Sequence, residues 1–242
     1  MLSADKLFFI LESIQVTPEE FVLEINHYEL NYFDSLLQKI EKYLIQKNLF
    51  LLEGLLVTEK EFAKKKFRKK LHQLNCILIK SAIYSCDNSR QVEREDIIFL
   101  DDYLTGVDKW GEYELKLLSY CSPVIPAHVL LQLAKKMINR TVYYRKISQN
   151  KIRVIHVLMH VAMICIDRDD LIHGEEFILQ ADTMIGNSSY LLERNILLYV
   201  SGFLMLKKGW EEGTRKMKRA IQIFKDLNCE ELSLYYEKRF TL

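Results

Sequence analysis

Apolar residues return every three or four positions along almost the whole chain, and the breaks between these runs are short. Ile97, Leu100, Leu104 and Val107 share one helix face, and Leu36, Ile40, Tyr43 and Leu44 share another. Val129, Leu133 and Met137 repeat the spacing, as do Met217, Ile221 and Phe224. Start and stop signals fit the same reading. Thr17-Pro18-Glu19-Glu20 offers a capping threonine, a proline at the first helical position and a capping-box glutamate ahead of EEFVLEINHY. Ser3 can cap a shorter helix over residues 4–14, with Leu7, Ile10, Leu11 and Ile14 on one side. Glu95 and Asp96 sit in a first turn, where the helix dipole favours negative charge. Another helix begins after Trp110-Gly111, carries Tyr113, Leu117 and Tyr120 on one side, and stops at Ser122-Pro123 because proline cannot continue it.

The last third of the chain repeats itself. Gly174 and Ala181 stand seven residues apart, as do Gly213 and Ala220, and the two pairs are offset by 39 positions. The same offset lays His156 on Asn195 and His160 on Tyr199. Helical hairpins of about 40 residues, each burying its face on the next, make a solenoid. The expected fold is therefore all-α, a degenerate tetratricopeptide-like array of hairpins.

Composition agrees with long helices and short turns, since only 8 glycines and 3 prolines interrupt 242 residues. With 49% hydrophobic residues the chain can build a substantial core. Lys and Arg number 34 against 33 Asp and Glu, so no global field draws nucleic acid. The stretch from Thr58 to His72 is the most charged. There Phe62, Phe67 and Leu71 interleave with lysines and Arg68, and the reading is a solvated helix face, a phosphate-contacting patch being the alternative. Cys76, Cys86, Cys121, Cys165 and Cys229 are odd in number, lack CxxC spacing and lie in apolar surroundings, as reduced core thiols in the cytoplasm do. Asp5 and Glu12 break any signal-peptide pattern. The longest apolar run, Ile196 to Leu206, falls short of the roughly 20 residues that a bilayer requires, so no membrane partner is expected.

Candidate chemistry is sparse. His156 and His160 stand one helical turn apart, but the zinc-protease motif needs a glutamate beside the first histidine, and Val157 is there. Asp167, Asp169 and Asp170 lack the glycine and distal glutamate of a calcium loop; their reading is a cap for the next helix. No Walker loop, GxGxxG or GxSxG occurs. The expectation is a protein that is not an enzyme and holds no metal or cofactor.

The run DDYLTGVDKWGEYEL, residues 101–115, following an acidic-hydrophobic helix, resembles the regulatory domain of the Rgg/GadR/MutR family of Gram-positive transcriptional regulators. The opening residues resemble the last two helices of that family's helix-turn-helix domain, with Val16 to Phe21 as the turn between them. On this resemblance, residues 1–30 are a remnant of the DNA-binding domain and linker, with the preceding recognition helix absent. Residues 31–242 are then the helical-repeat domain for regulation, peptide binding and dimerisation. Promoter DNA would be met only through the missing N-terminal part, so no base-reading residue is assigned here.

The resemblance also implies a short peptide pheromone held in the concave groove of the array, as in quorum sensing. Asn150, Arg153, His156, His160, Asn195 and Tyr199 recur at three- or four-residue intervals on the first helices of successive pairs, which line such a groove. Amides can grip an extended backbone and Arg a carboxylate. Leu232, Tyr235 and Tyr236 leave apolar surface on the final helix, to be covered by an earlier helix or a second subunit; the resemblance implies a homodimer. A peptide- or protein-binding helical scaffold unconnected with DNA stands as the alternative.

Overall fold

The computed structural model describes residues 3–65 and 68–240, so Lys66 and Phe67 of the basic run lie outside the described residues. Among the described residues every regular element is helical. The chain divides into two compact units, Met1–Leu55 and Leu56–Leu242.

The first unit holds α1 (Ala4–Ser13), α2 (Pro18–Ile25), α3 (Tyr32–Ile45) and the start of α4 (Leu49–Lys64). Its caps are those that the sequence announces. The Ser3 hydroxyl accepts from the Lys6 amide at 3.4 Å, and Thr17 and Glu20 form a reciprocal capping box, with the Thr17 amide donating to Glu20 Oε2 at 2.8 Å. Leu11, Leu36, Leu37, Ile40 and Leu52 are its buried side chains.

The second unit runs from the rest of α4 through α5 (Lys69–Cys86), α6 (Arg94–Gly106), α7 (Glu112–Cys121), α8 (Ala127–Arg140), a 3-10 turn at Tyr144–Lys146, α9 (Ser148–Asp167), α10 (Leu171–Ile185), α11 (Leu191–Lys207), α12 (Glu211–Asp226) and α13 (Glu230–Phe240). The basic run is not one helix face. It is split between the end of α4 and the start of α5, where Arg68 adopts a left-handed φ of 55°. Helices α5, α7, α9 and α11 pack side by side in succession, and α6, α10 and α12 pack against α5, α9 and α11, the helices before them. This is the expected array of hairpins. No described helix is long and apolar enough to cross a membrane.

The internal repeat marks where helices approach most closely. Gly174, Ala181, Gly213 and Ala220 are all buried at the α9–α10 and α11–α12 contacts. A Cβ added to Gly213 would run into the Leu206 amide and lie 2.5 Å from the Gly202 carbonyl oxygen, both backbone atoms that cannot turn aside. At Gly174 the added atom would lie 2.7 Å from Ile166 Cγ1, a side-chain atom, with the nearest backbone atom of α9, the Ala162 carbonyl oxygen, at 3.5 Å. Gly213→Ala is therefore expected to lower the unfolding free energy by about 2–3 kcal/mol, more than offsetting the ~1 kcal/mol that alanine gains in a helix. Gly174→Ala should cost clearly less. Denaturant unfolding of both variants measures this, and equal costs would contradict the packing account.

Candidate functional site

The residues singled out in the sequence lie on or beside α9, the most enclosed helix of the second unit. Every residue from Val161 to Ile166 is buried, and between Val154 and Ile166 only His156 and His160 are less than fully buried. With Arg153 they form a narrow polar stripe at three- and four-residue spacing, the period of one helix face. Asp167 continues this stripe beyond the buried run.

Each end and middle of that stripe is tied to a different neighbour. Arg153 Nη2 pairs with Glu112 Oε1 of α7 at 2.7 Å, and Lys116 Nζ reaches the same oxygen at 2.6 Å. Arg153 also leans on Asn150, its Nη1 being 3.5 Å from Oδ1 of that buried amide. His156 Nε2 stands 2.9 Å from Glu193 Oε1 of α11. That carboxylate side chain is 7% exposed while the histidine is 41% exposed, so His156 is its route to solvent. Asp167 is paired with Arg239 of α13. His160 faces the same end. Desolvation, and then the positive charge of Arg239, push its imidazole down to about 4 from the ordinary 6.5, so it stays neutral.

Helix α7 holds its side of the pair because its own start is fixed. The Gly111 amide donates to Glu114 Oε2 at 2.9 Å, and Glu114 Oε1 accepts from the Tyr103 hydroxyl at 2.8 Å. Trp110 is fully buried, its indole N–H donating to the Leu104 carbonyl at 3.1 Å. Arg140 Nη1 lies 3.0, 2.7 and 2.6 Å from the carbonyls of Leu104, Thr105 and Val107. The 101–115 run thus ties down the start of α7, the helix that carries Glu112.

Asn195 and Tyr199 sit differently from their repeat counterparts. Both are buried; Asn195 Nδ2 donates to the Ala220 carbonyl at 3.0 Å, and the Tyr199 hydroxyl donates to the Tyr236 carbonyl at 3.0 Å. Burial pushes the Tyr199 hydroxyl up to about 12, which keeps it a donor. Of the final-helix residues, Tyr236 is buried by its own chain, stacked on Phe224 with centroids 5.4 Å apart and packed on Tyr199 at 4.5 Å. Leu232 is half-buried, whereas Tyr235 is exposed together with Leu234, which the sequence did not single out. Glu112, Lys116, Glu193, Arg239 and Arg140 also escaped the sequence reading. Among the described residues no group of three His, Cys, Asp or Glu is placed to hold a metal ion.

The position of His160 has a consequence for acid stability. Its folded-state pKa of about 4 lies below the 6.5 of the free side chain, so between these values the unfolded chain binds more protons. Stability contributed by neutral His160 is complete above 6.5 and is lost as pH falls toward 4. His160→Gln removes that titration. The stability difference between the natural protein and the variant is therefore expected to shrink between about pH 7 and pH 5 in urea unfolding; a constant difference would contradict the desolvation of the His160 imidazole.

Comparison with known proteins gives the family and the fold. The model of the family described as HTH-type transcriptional regulator Rgg, C-terminal domain, matches residues 56–238, beginning where the second compact unit begins. The Streptococcus dysgalactiae SHP pheromone receptor Rgg2 is 28% identical, with a TM-score of 0.79 over 100% of this chain and 85% of that one. A transcriptional regulator from Listeria monocytogenes EGD-e, at 18% identity, shares the fold with a TM-score of 0.79 over 100% of this chain and 83% of its own. RopB, at 17% identity, shares it with a TM-score of 0.65 over 92% and 96%. The chain belongs to the Rgg family of transcriptional regulators, whose C-terminal domain fills residues 56–238.

Proposed function

We propose that this chain is the signal-sensing part of its regulator. A short peptide lies along the solvent-facing side of the α7–α9–α11 layer, and its binding alters how two copies present their DNA-binding parts. Likeness to a pheromone receptor along the whole chain supports the reading. The observation that carries it is the shared carboxylate. Glu112 Oε1 already accepts from Lys116 at 2.6 Å, so Arg153 can turn to an incoming carboxylate without leaving Glu112 unpaired. An Arg pair of this kind gives bidentate, oriented recognition. Asn150 steadies the guanidinium, and His156 and His160 extend the polar stripe along which a peptide backbone would lie. Asn195 and Tyr199 support it from within by holding α11 to α12 and α13.

Leu232, Leu234 and Tyr235 on α13 are the surface proposed for pairing two copies, with Tyr236 as their inner support. Coupling then requires the peptide to bind one arrangement of the array more tightly than the other.

Native mass spectrometry of the full chain with a pool of short hydrophobic peptides encoded beside its gene tests the reading. A dimer retaining one peptide per subunit is expected. Arg153→Ala should weaken retention by about tenfold to a hundredfold, and Lys116→Met should weaken it less, by tightening the hold of Glu112 on Arg153. A chain that retains no peptide, or one whose retention is unaltered by Arg153→Ala, would contradict the proposal.

A further inference from the structure

The exposed side of α12 concentrates positive charge in a chain of net charge +1. Arg215, Lys218, Arg219, Gln222 and Lys225 recur at three- and four-residue spacing and are all exposed, so they form one face about three turns long. Arg215 is paired with Glu212, and Lys225 with Glu237 of α13. Among the described residues Lys218 and Arg219 have no carboxylate at ion-pair distance; the Lys218 ammonium instead lies 6.0 Å from the centroid of the Phe240 ring.

This face is also one wall of an open cleft of about 550 Å³, lined by Lys218, Ile221, Gln222 and Lys225 from α12 and by Glu237, Lys238 and Phe240 from α13. Ile221 and Phe240 supply apolar lining, and Lys218, Lys225 and Lys238 outnumber the one carboxylate, Glu237. The α12 wall is packed closely on α11, because Gly202 and Gly213 let the two backbones approach. None of these residues belongs to the α9 stripe.

We infer that the α12–α13 cleft is a docking site for an acidic amphipathic segment of another protein. Its carboxylates would meet Lys218 and Arg219, and an apolar side chain would rest on Ile221 and Phe240. The apolar lining selects this occupant over a nucleic acid. The phosphate backbone of a duplex meets cations and leaves an apolar lining unused, whereas Glu237 is paired with Lys225 and discriminates against neither kind of anion. A helix laid in a groove matches both features, since its apolar residues and its carboxylates recur with the same three- and four-residue spacing as the wall.

The test is fluorescence anisotropy of the full chain with a labelled amphipathic peptide of about twelve residues, carrying Leu and Phe on one side and Glu on the flanks. A copy with Lys in place of Glu serves as the control. The acidic peptide is expected to bind at least tenfold more tightly than the control and to weaken as salt rises. Lys218→Glu should cost at least tenfold in affinity, and Gln222→Trp, which fills the cleft, should abolish binding. Arg219→Glu, on the exposed face of α12 but outside the cleft lining, should cost less than Lys218→Glu. Circular dichroism melting at the temperature of the natural protein establishes that each variant folds. Equal binding of the two peptides would overturn the inference, as would indifference to Lys218→Glu and Gln222→Trp. Displacement of the peptide by a short DNA duplex at lower concentration would overturn it in favour of a phosphate surface. A self-association that Gln222→Trp abolishes would make a second copy of this chain the occupant instead.

Discussion

Arg140 places one guanidinium nitrogen against three carbonyl oxygens at the end of α6, and the geometry around α9 depends on that contact. A helix that ends has carbonyls without amide partners, and its C-terminus favours a positive charge. Gly106 ends α6, and the chain must turn at once into α7. Arg140 arrives from α8, the indole of Trp110 shares the Leu104 carbonyl with it, and Glu114 closes the first turn of α7. Three helices are thus locked at one corner by polar groups that are largely withdrawn from water. Net worth per charged hydrogen bond is modest, but an unmet buried carbonyl costs about 1–3 kcal/mol. Directional specificity is the larger effect.

From that corner the polar groups of α9 reach outward in three directions. Arg153 goes to α7, His156 to α11 and Asp167 to α13, so one helix holds its neighbours through charges placed on its only open side. Glu193 is buried, but the Arg153–Glu112 and Asp167–Arg239 pairs are partly exposed, and pairs of that kind contribute little to stability, about 0–1 kcal/mol each. They are better suited to exchange than to holding the fold together, which the buried Val161 to Ile166 segment already does. A cation whose carboxylate has a second donor in Lys116 is the member of this set most easily released.

Helical periodicity, the caps at Ser3 and Thr17 and the paired glycines at 174 and 213 were legible because they depend on residues close in sequence. So was the α9 stripe, as a set of polar positions one turn apart. Its partners were not, since Glu193 is 37 residues from His156 and Arg239 is 72 residues from Asp167, and no local period registers such pairings. Asn195 and Tyr199 show the limit of reasoning by repeat. They occupy the positions of His156 and His160 one unit later, but α11 is flanked by α12 and α13, and their polar atoms are turned to backbone carbonyls there. The basic run misled for a local reason: the left-handed turn at Arg68 breaks it, and composition alone does not mark such a turn. The 101–115 run pointed to the family, while its physical role became visible only with Arg140 beside it.

The central claim is that the Arg140 corner sets the position of α7 and hence the meeting of Glu112 with Arg153. Amide hydrogen exchange of Arg140→Met against the natural protein tests it directly. The account predicts faster exchange in the last turn of α6 and also in the first turn of α7 and in α9 around Asn150 to His156. Faster exchange confined to the end of α6, with α7 and α9 protected as before, would contradict it.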